Sequence, residues 1–121
     1  MNDIKERLLE LPESIRTQKE DILTKHREVE VLIRQSKEWE VRMMNNITNA
    51  VDDKGKPVYS NDIKRQGALM ELQAQDQEYL KLKTAINDLT LAIKKAEIEM
   101  DYLYNMQSNL KAICYIGTEI R

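Results

Sequence analysis

The sequence predicts an all-α fold: an antiparallel two-helix coiled-coil hairpin with a short N-terminal helix, packed into an oligomeric helical bundle. The main observation is an apolar residue every three to four positions between residues 63 and 114. A period of 3.5 residues keeps one stripe facing a partner helix as both helices supercoil. Only Gln75 and Gln107 are polar in the strict 4-3 series, which consists of Ala68, Leu72, Gln75, Tyr79, Leu82, Ile86, Leu89, Ile93, Ala96, Met100, Leu103, Gln107, Leu110 and Cys114.

Composition is the second observation. The chain has 121 residues, enough for one domain. Charged residues make up 33% of it, Phe is absent, and there are only three Gly and two Pro. This composition is typical of long helices with hydrated outer faces and a thin apolar contact, not of a globular core. The net charge of −2 gives no general attraction for nucleic acid or anionic lipid.

Two breaks divide the predicted helices. Pro12 is expected to separate a short helix, residues 1–11, from a long helix, residues 12–50, because proline is tolerated only in a first helical turn. Asp3 and Glu6 form a capping-box pattern for the short helix. The apolar stripe of the long helix is looser and consists of Ile15, Ile22, Val29, Leu32, Ile33, Trp39, Met43, Ile47 and Ala50.

The second break is the turn 51–60, followed by a long helix over residues 61–115 and a tail, 116–121. Gly55 supplies a positive φ, Pro57 forces its predecessor to be extended, and Ser60 is expected to cap the next helix. Val51 and Val58-Tyr59 would pair as a very short β-ribbon, with a plain loop as the alternative.

A second apolar row on the helix 61–115 predicts self-association. Leu91, Ile98 and Tyr102 fall on the outer face, away from the main stripe, and Met106 lies on its flank. A row at this spacing forms a contact surface, so we predict a dimer or tetramer of hairpins that uses these four residues. The alternative is that the segment 1–11, which is expected to cover part of the longer helix, occupies the same row.

Nothing in the sequence indicates catalysis, a metal or a cofactor. His26 is the only histidine; the di-iron helical pattern needs Glu three residues before it, where Leu23 stands. Cys114, the only cysteine, continues the apolar stripe as a small buried hydrophobe. No phosphate loop, nucleophile set or zinc spacing occurs, so we predict a non-enzymatic protein. The N-terminus carries no secretory signal and no apolar run approaches a membrane span, which predicts a cytoplasmic protein with no membrane contact.

The turn is the place where the sequence suggests a contact with another molecule. Tyr59, Asn61, Arg65, Lys54 and Lys56 are predicted to form a partner-contact patch, because Tyr and Arg often anchor binding sites. One alternative is a nucleic-acid site that uses the basic side chains and the aromatic ring. Another is that Tyr59 and Val58 seal the end of the helix pair against Ile47 and Ile63.

The stretch Asp53-Lys-Gly-Lys-Pro-Val-Tyr-Ser-Asn61, followed by Arg65, Leu72, Asp76 and Tyr79, resembles uncharacterised small coiled-coil proteins of bacterial phages and mobile elements. The resemblance covers residues 53–79 and implies a phage or prophage origin, among genes for DNA recombination or counter-defence, without implying a reaction. The two-helix architecture is also similar to prefoldin subunits, although 51–60 is too short for prefoldin's β-hairpins.

The sequence therefore predicts a non-enzymatic interaction or assembly module, a phage-type accessory or inhibitor that docks on an unidentified host or replication protein. One alternative is a nucleic-acid-binding accessory for recombination or replication that uses the basic tip. A prefoldin-like chaperone subunit is the second alternative.

Overall fold

The computed structural model describes residues 2–119, and in this range the protein is all-helical, as predicted. Helix α1 spans Asn2–Asn49, α2 spans Asp62–Gln75 and α3 spans Gln77–Glu119. The loop 50–61 joins α1 to α2. Of the predicted tail, residues 116–119 belong to α3, and residues 120 and 121 lie outside the described residues.

Helix α1 is continuous through Pro12, so the predicted break between residues 1–11 and 12–50 is wrong. Leu11 is 5% exposed and Ile15 is 7% exposed, and these two positions lie one turn apart on the same helix face. Pro12 itself is exposed. Burial of the apolar side chains on either side of the proline favours the helix strongly enough to outweigh the missing backbone hydrogen bond.

The predicted helix 61–115 is interrupted at Asp76, which has extended backbone dihedrals, φ −76° and ψ 120°. The Asp76 N–H donates to the Leu72 carbonyl at 2.8 Å, and its own carbonyl accepts from the Leu80 N–H at 3.0 Å. Its side-chain Oδ1 accepts from the Tyr79 N–H at 2.9 Å. Asp76 therefore ends α2 and caps α3, because its carboxylate replaces a helical carbonyl as the acceptor.

The predicted 4-3 stripe lies on the buried side of α3 but only in part on that of α2, where Ala68 is half-buried and Leu72 and Gln75 are exposed. From Tyr79 to Cys114, every stripe residue is buried or half-buried. In α2, by contrast, Leu69 is 8% exposed whereas the predicted stripe residue Leu72 is 37% exposed. The non-helical residue Asp76 changes the rotational phase between the two helices, so the spacing counted along α3 does not continue into α2.

Residues Glu28–Leu89 form one of two compact units. Its core is a cluster in which Trp39 and Ile47 of α1 pack with Leu69 of α2 and Tyr79 of α3. Trp39 is the most buried of them, at 1% exposure. In this cluster, side chains from all three helices pack against one another next to the loop 50–61.

The second unit combines the described residues of 1–27 and 90–121. Its buried side chains on α3 are Ile93, Ala96, Met100 and Leu110. Lys19 of α1 lies over the Tyr104 ring, with Nζ 5.4 Å from the ring centroid. The unit is thus a pair of helix segments with an apolar contact and polar contacts at its edges. Across the described part of the chain, no helix is long and apolar enough to cross a membrane.

Candidate partner-binding surfaces

The loop 50–61 is organised by the carboxylate of Asp52. Its Oδ1 accepts from the backbone N–H groups of Lys54 and Lys56, both at 2.9 Å. The Asp52 N–H donates to the Lys56 carbonyl at 2.8 Å, and the Gly55 N–H donates to the Asp52 carbonyl at 2.9 Å. Gly55 has φ +78°, the left-handed conformation that this reversal requires. The loop is therefore held by its own hydrogen bonds.

The short β-pairing occurs at a different residue from the predicted one. An isolated antiparallel bridge joins Val51 to Pro57, and the Val58 N–H donates to the Ala50 carbonyl at 3.0 Å. Tyr59 takes no part in it. Pro57 is accommodated because a bridge of this kind does not need its missing N–H.

Asn61, not Ser60 as predicted, caps α2. The Asn61 Oδ1 accepts from the Lys64 N–H at 2.9 Å, and the Asn61 backbone is extended, as an N-cap requires. The Ser60 hydroxyl instead accepts from the Lys64 Nζ at 3.3 Å. The side-chain oxygen of Asn61 is thus already used by the helix, which limits what it offers to a partner.

Two further members of the predicted patch, Tyr59 and Arg65, also bond within the protein. The Arg65 Nε donates to the Tyr59 carbonyl at 3.2 Å, and its Nη1 lies 3.4 Å from the Asp62 carboxylate. Tyr59 is half-buried and packs against the core cluster. Ile63, predicted as part of a seal, is 85% exposed. Tyr59 therefore closes the cluster without Ile63.

Lys54 and Lys56 keep exposed side chains while their backbones are fixed by Asp52. Asp52 and Asp53 are exposed in the same loop. The loop therefore presents charges of both signs and forms no uniformly basic surface.

The outer row of α3, Leu91, Ile98 and Tyr102, is the second candidate surface, and unlike the loop it is apolar. These side chains are 53%, 69% and 56% exposed. The helical period places them on the face opposite the buried Ala96 and Met100. The alternative that residues 1–11 cover the row does not apply to the described part of the chain.

Met106, predicted as the fourth member of that interface, lies at its edge and is half-buried. The Arg7 guanidinium donates to the Met106 Sδ at 3.3 Å. The N-terminal part of α1 therefore contacts α3 at Met106 and leaves the outer row uncovered.

Within residues 2–119, no three His, Cys, Asp or Glu side chains are placed to hold a metal ion. The His26 Nε2 lies 3.9 Å from a carboxylate oxygen of Glu97 on α3. Cys114 is half-buried. These contacts belong to the helix pairing.

Sequence reasoning missed the structural roles of Asp52 and Asp76. Both accept backbone N–H groups from residues two to four positions further on. Short carboxylate side chains that compete for nearby N–H groups are the available signal. For Asp76 that signal is masked by the uninterrupted apolar repeat around it.

The chain matches no protein-family model, and no curated protein and no solved structure resembles it significantly. Its function is therefore inferred from the two surfaces, the loop and the outer row.

Proposed function

We propose that this protein is a non-enzymatic protein–protein interaction module: a coiled-coil helical hairpin that self-associates and docks on another protein in the cytoplasm as a phage-type accessory or inhibitor. The phage-type context rests on the resemblance carried by residues 53–79. The interaction role rests on the surfaces of the helices.

The observation that carries the proposal is the exposed row on α3. Burial of one large apolar side chain stabilises a contact by about 1.5–3 kcal/mol of free energy. Leu91, Ile98 and Tyr102 are all more than half exposed and lie on one helix face. Single exposed apolar residues are ordinary, whereas a contiguous row is typical of an interaction surface.

The docking contact proposed at the loop has a narrower base. Asn61 and Arg65 bond within the protein, and Tyr59 is partly covered, so the exposed side chains of Lys54 and Lys56 are the groups that remain for a partner. The nucleic-acid alternative, which used the basic side chains of the loop and the Tyr59 ring, is not proposed. The Tyr59 ring packs against the core cluster, and the exposed carboxylates of Asp52 and Asp53 oppose the positive charge of the lysines. A prefoldin-like role is not proposed either, since the loop carries one isolated bridge in place of a β-hairpin.

Sedimentation velocity over a range of protein concentrations tests the self-association. The wild type is expected to form particles of more than one chain. The double variant Leu91→Glu with Ile98→Glu should shift it to monomer, because each chain would bring two charges into the contact and these would have to be buried. A matched control is Leu9→Glu with Leu23→Glu, which changes two exposed leucines of α1.

A wild type that is monomeric at all concentrations would contradict the proposal. The proposal would also be contradicted if the α1 control variant dissociated the oligomer as fully as the α3 variant. Circular dichroism of each variant establishes that the helices are intact.

A further inference from the structure

The outer row is flanked by charges in a regular pattern. Lys94 and Asp101 lie seven residues apart, so they share one flank of the row. Lys95 lies on the other flank, seven residues before Tyr102 and therefore on the same side of the helix as this member of the row. Lys94, Lys95 and Asp101 are exposed, and among the described residues none of them forms an ion pair.

This pattern is complementary to itself in one orientation. When two helices pack antiparallel about a two-fold axis, the same flanks face each other and residues equidistant from the axis meet. With the axis at Ile98, Lys94 is four residues and Asp101 three residues from the axis, so the two differ in height by only about 1.5 Å and Lys94 of each copy meets Asp101 of the other. Lys95 likewise meets the Tyr102 ring, a cation–π arrangement.

The parallel orientation gives the opposite result. A two-fold axis along the helices brings opposite flanks together at the same height. Lys94 of one copy would then lie beside Lys95 of the other, and Asp101 would face Tyr102. Like charges directly opposite one another oppose association, and flanking charges are what fix orientation in paired helices.

We propose that two copies of this chain associate through the outer row of α3 in an antiparallel arrangement, with a two-fold axis at Ile98 and reciprocal Lys94–Asp101 pairs on one flank. The proposal rests on the self-association proposed above and specifies its partner, orientation and register. Ile98 packs on its counterpart at the axis, and Leu91 of each copy packs beside Asn105 and Tyr102 of the other.

Charge reversal tests the orientation. Lys94→Asp should raise the dimer dissociation constant on the order of tenfold, because it places two carboxylates together at both ends of the contact. Adding Asp101→Lys in the same chain should restore the wild-type value to within about threefold. Lys37→Asp on the exposed face of α1 is the control for charge and helix propensity and should leave dimerisation unchanged.

The alternatives give different results in the same sedimentation experiment. In a parallel dimer, Lys94→Asp would create an attractive pair with Lys95 and tighten association, which would overturn the proposed orientation while leaving self-association intact. A dimer unaffected by Lys94→Asp would overturn this interface. A monomeric wild type would overturn both the self-association and this inference.

Disulfide cross-linking tests the register in a chain carrying Cys114→Ala. Ile98→Cys should form a disulfide-linked dimer on oxidation, because the two cysteines meet at the axis. Leu91→Cys should not, since residue 91 and its counterpart are about 21 Å apart along the helix at ~1.5 Å per residue, far beyond disulfide reach. A mixture of Leu91→Cys and Asn105→Cys chains should cross-link to each other. Efficient cross-linking of Leu91→Cys alone would overturn the proposal.

Discussion

The Trp39 ring lies against the Tyr79 ring, with 4.5 Å between ring centroids and a 34° angle between planes. The two side chains are 1% and 6% exposed. The Tyr79 hydroxyl donates to the Glu40 Oε1 at 3.2 Å, whereas the Trp39 Nε1 has no hydrogen-bond partner among the described residues. The pair therefore supplies much apolar contact but leaves one donor unpaired.

Trp39→Ala is expected to lower the free energy of unfolding by about 3–5 kcal/mol, because it leaves a large cavity in the core cluster. Trp39→Phe should cost much less, about 1–2 kcal/mol, since it keeps a ring against Tyr79 and removes the unpaired N–H. Urea unfolding measures both. Leu9→Ala, at a position 81% exposed, is the control and should stay within about 0.5 kcal/mol. A Phe variant as unstable as the Ala variant would contradict this account.

Trp39 and the stripe of α3 were predictable because they follow from helical periodicity, which depends only on which residues are apolar. The two helix boundaries were not. Pro12 is disfavoured within a helix, yet burial of Leu11 and Ile15 prevails. Asp76 is tolerated in helices, yet its carboxylate competes for the Tyr79 N–H. In both cases the outcome depends on a balance between local and tertiary terms that the spacing of apolar residues does not contain.

Of the two predicted surfaces, the outer row could be predicted from helical periodicity and the loop contacts could not. The outer position of Leu91, Ile98 and Tyr102 follows from the helical period, and the structure places all three in solvent. The prediction for the loop residues Asn61 and Arg65, by contrast, depends on residue type alone. Their hydrogen bonds to nearby backbone groups depend on the three-dimensional path of the loop, which residue type does not specify.

The cap at Asp76 predicts a specific mutational pattern. Asp76→Ala should destabilise the protein by about 0.5–2 kcal/mol, because the Tyr79 N–H loses its acceptor. Asp76→Asn should retain most of the stability, since the amide oxygen accepts the same bond. Thermal unfolding followed by circular dichroism compares the two. A more stable Ala variant would show instead that α2 and α3 merge into one helix when the competing carboxylate is removed.

Alanine substitutions at Gly55 and Gly67 are expected to change the free energy of unfolding in opposite directions. Neither Gly55 nor Gly67 has an atom within 4 Å of the position a Cβ would occupy, so neither substitution causes a clash. Gly55→Ala should destabilise by about 1 kcal/mol because φ is +78°. Gly67→Ala, inside α2, should stabilise by about 0.5–1 kcal/mol through helix propensity. Urea unfolding of both variants measures the two effects, and the same sign at both sites would contradict the assigned backbone conformations.

Pro12→Ala is expected to raise the free energy of unfolding by about 1–3 kcal/mol. Proline at this position provides no N–H for the Leu8 carbonyl and crowds that carbonyl with its ring, and alanine removes both defects. The neighbouring Leu11 and Ile15 stay buried in either case, so the gain comes from the backbone alone. Pro57→Ala is the control: it lies outside the helices and should lose about 0.4–1 kcal/mol, because the unfolded chain becomes more flexible. Urea unfolding measures both variants. A neutral or destabilising effect of Pro12→Ala would indicate that α1 is broken at Pro12 in solution. The separate helix 1–11 predicted from the sequence would then be correct.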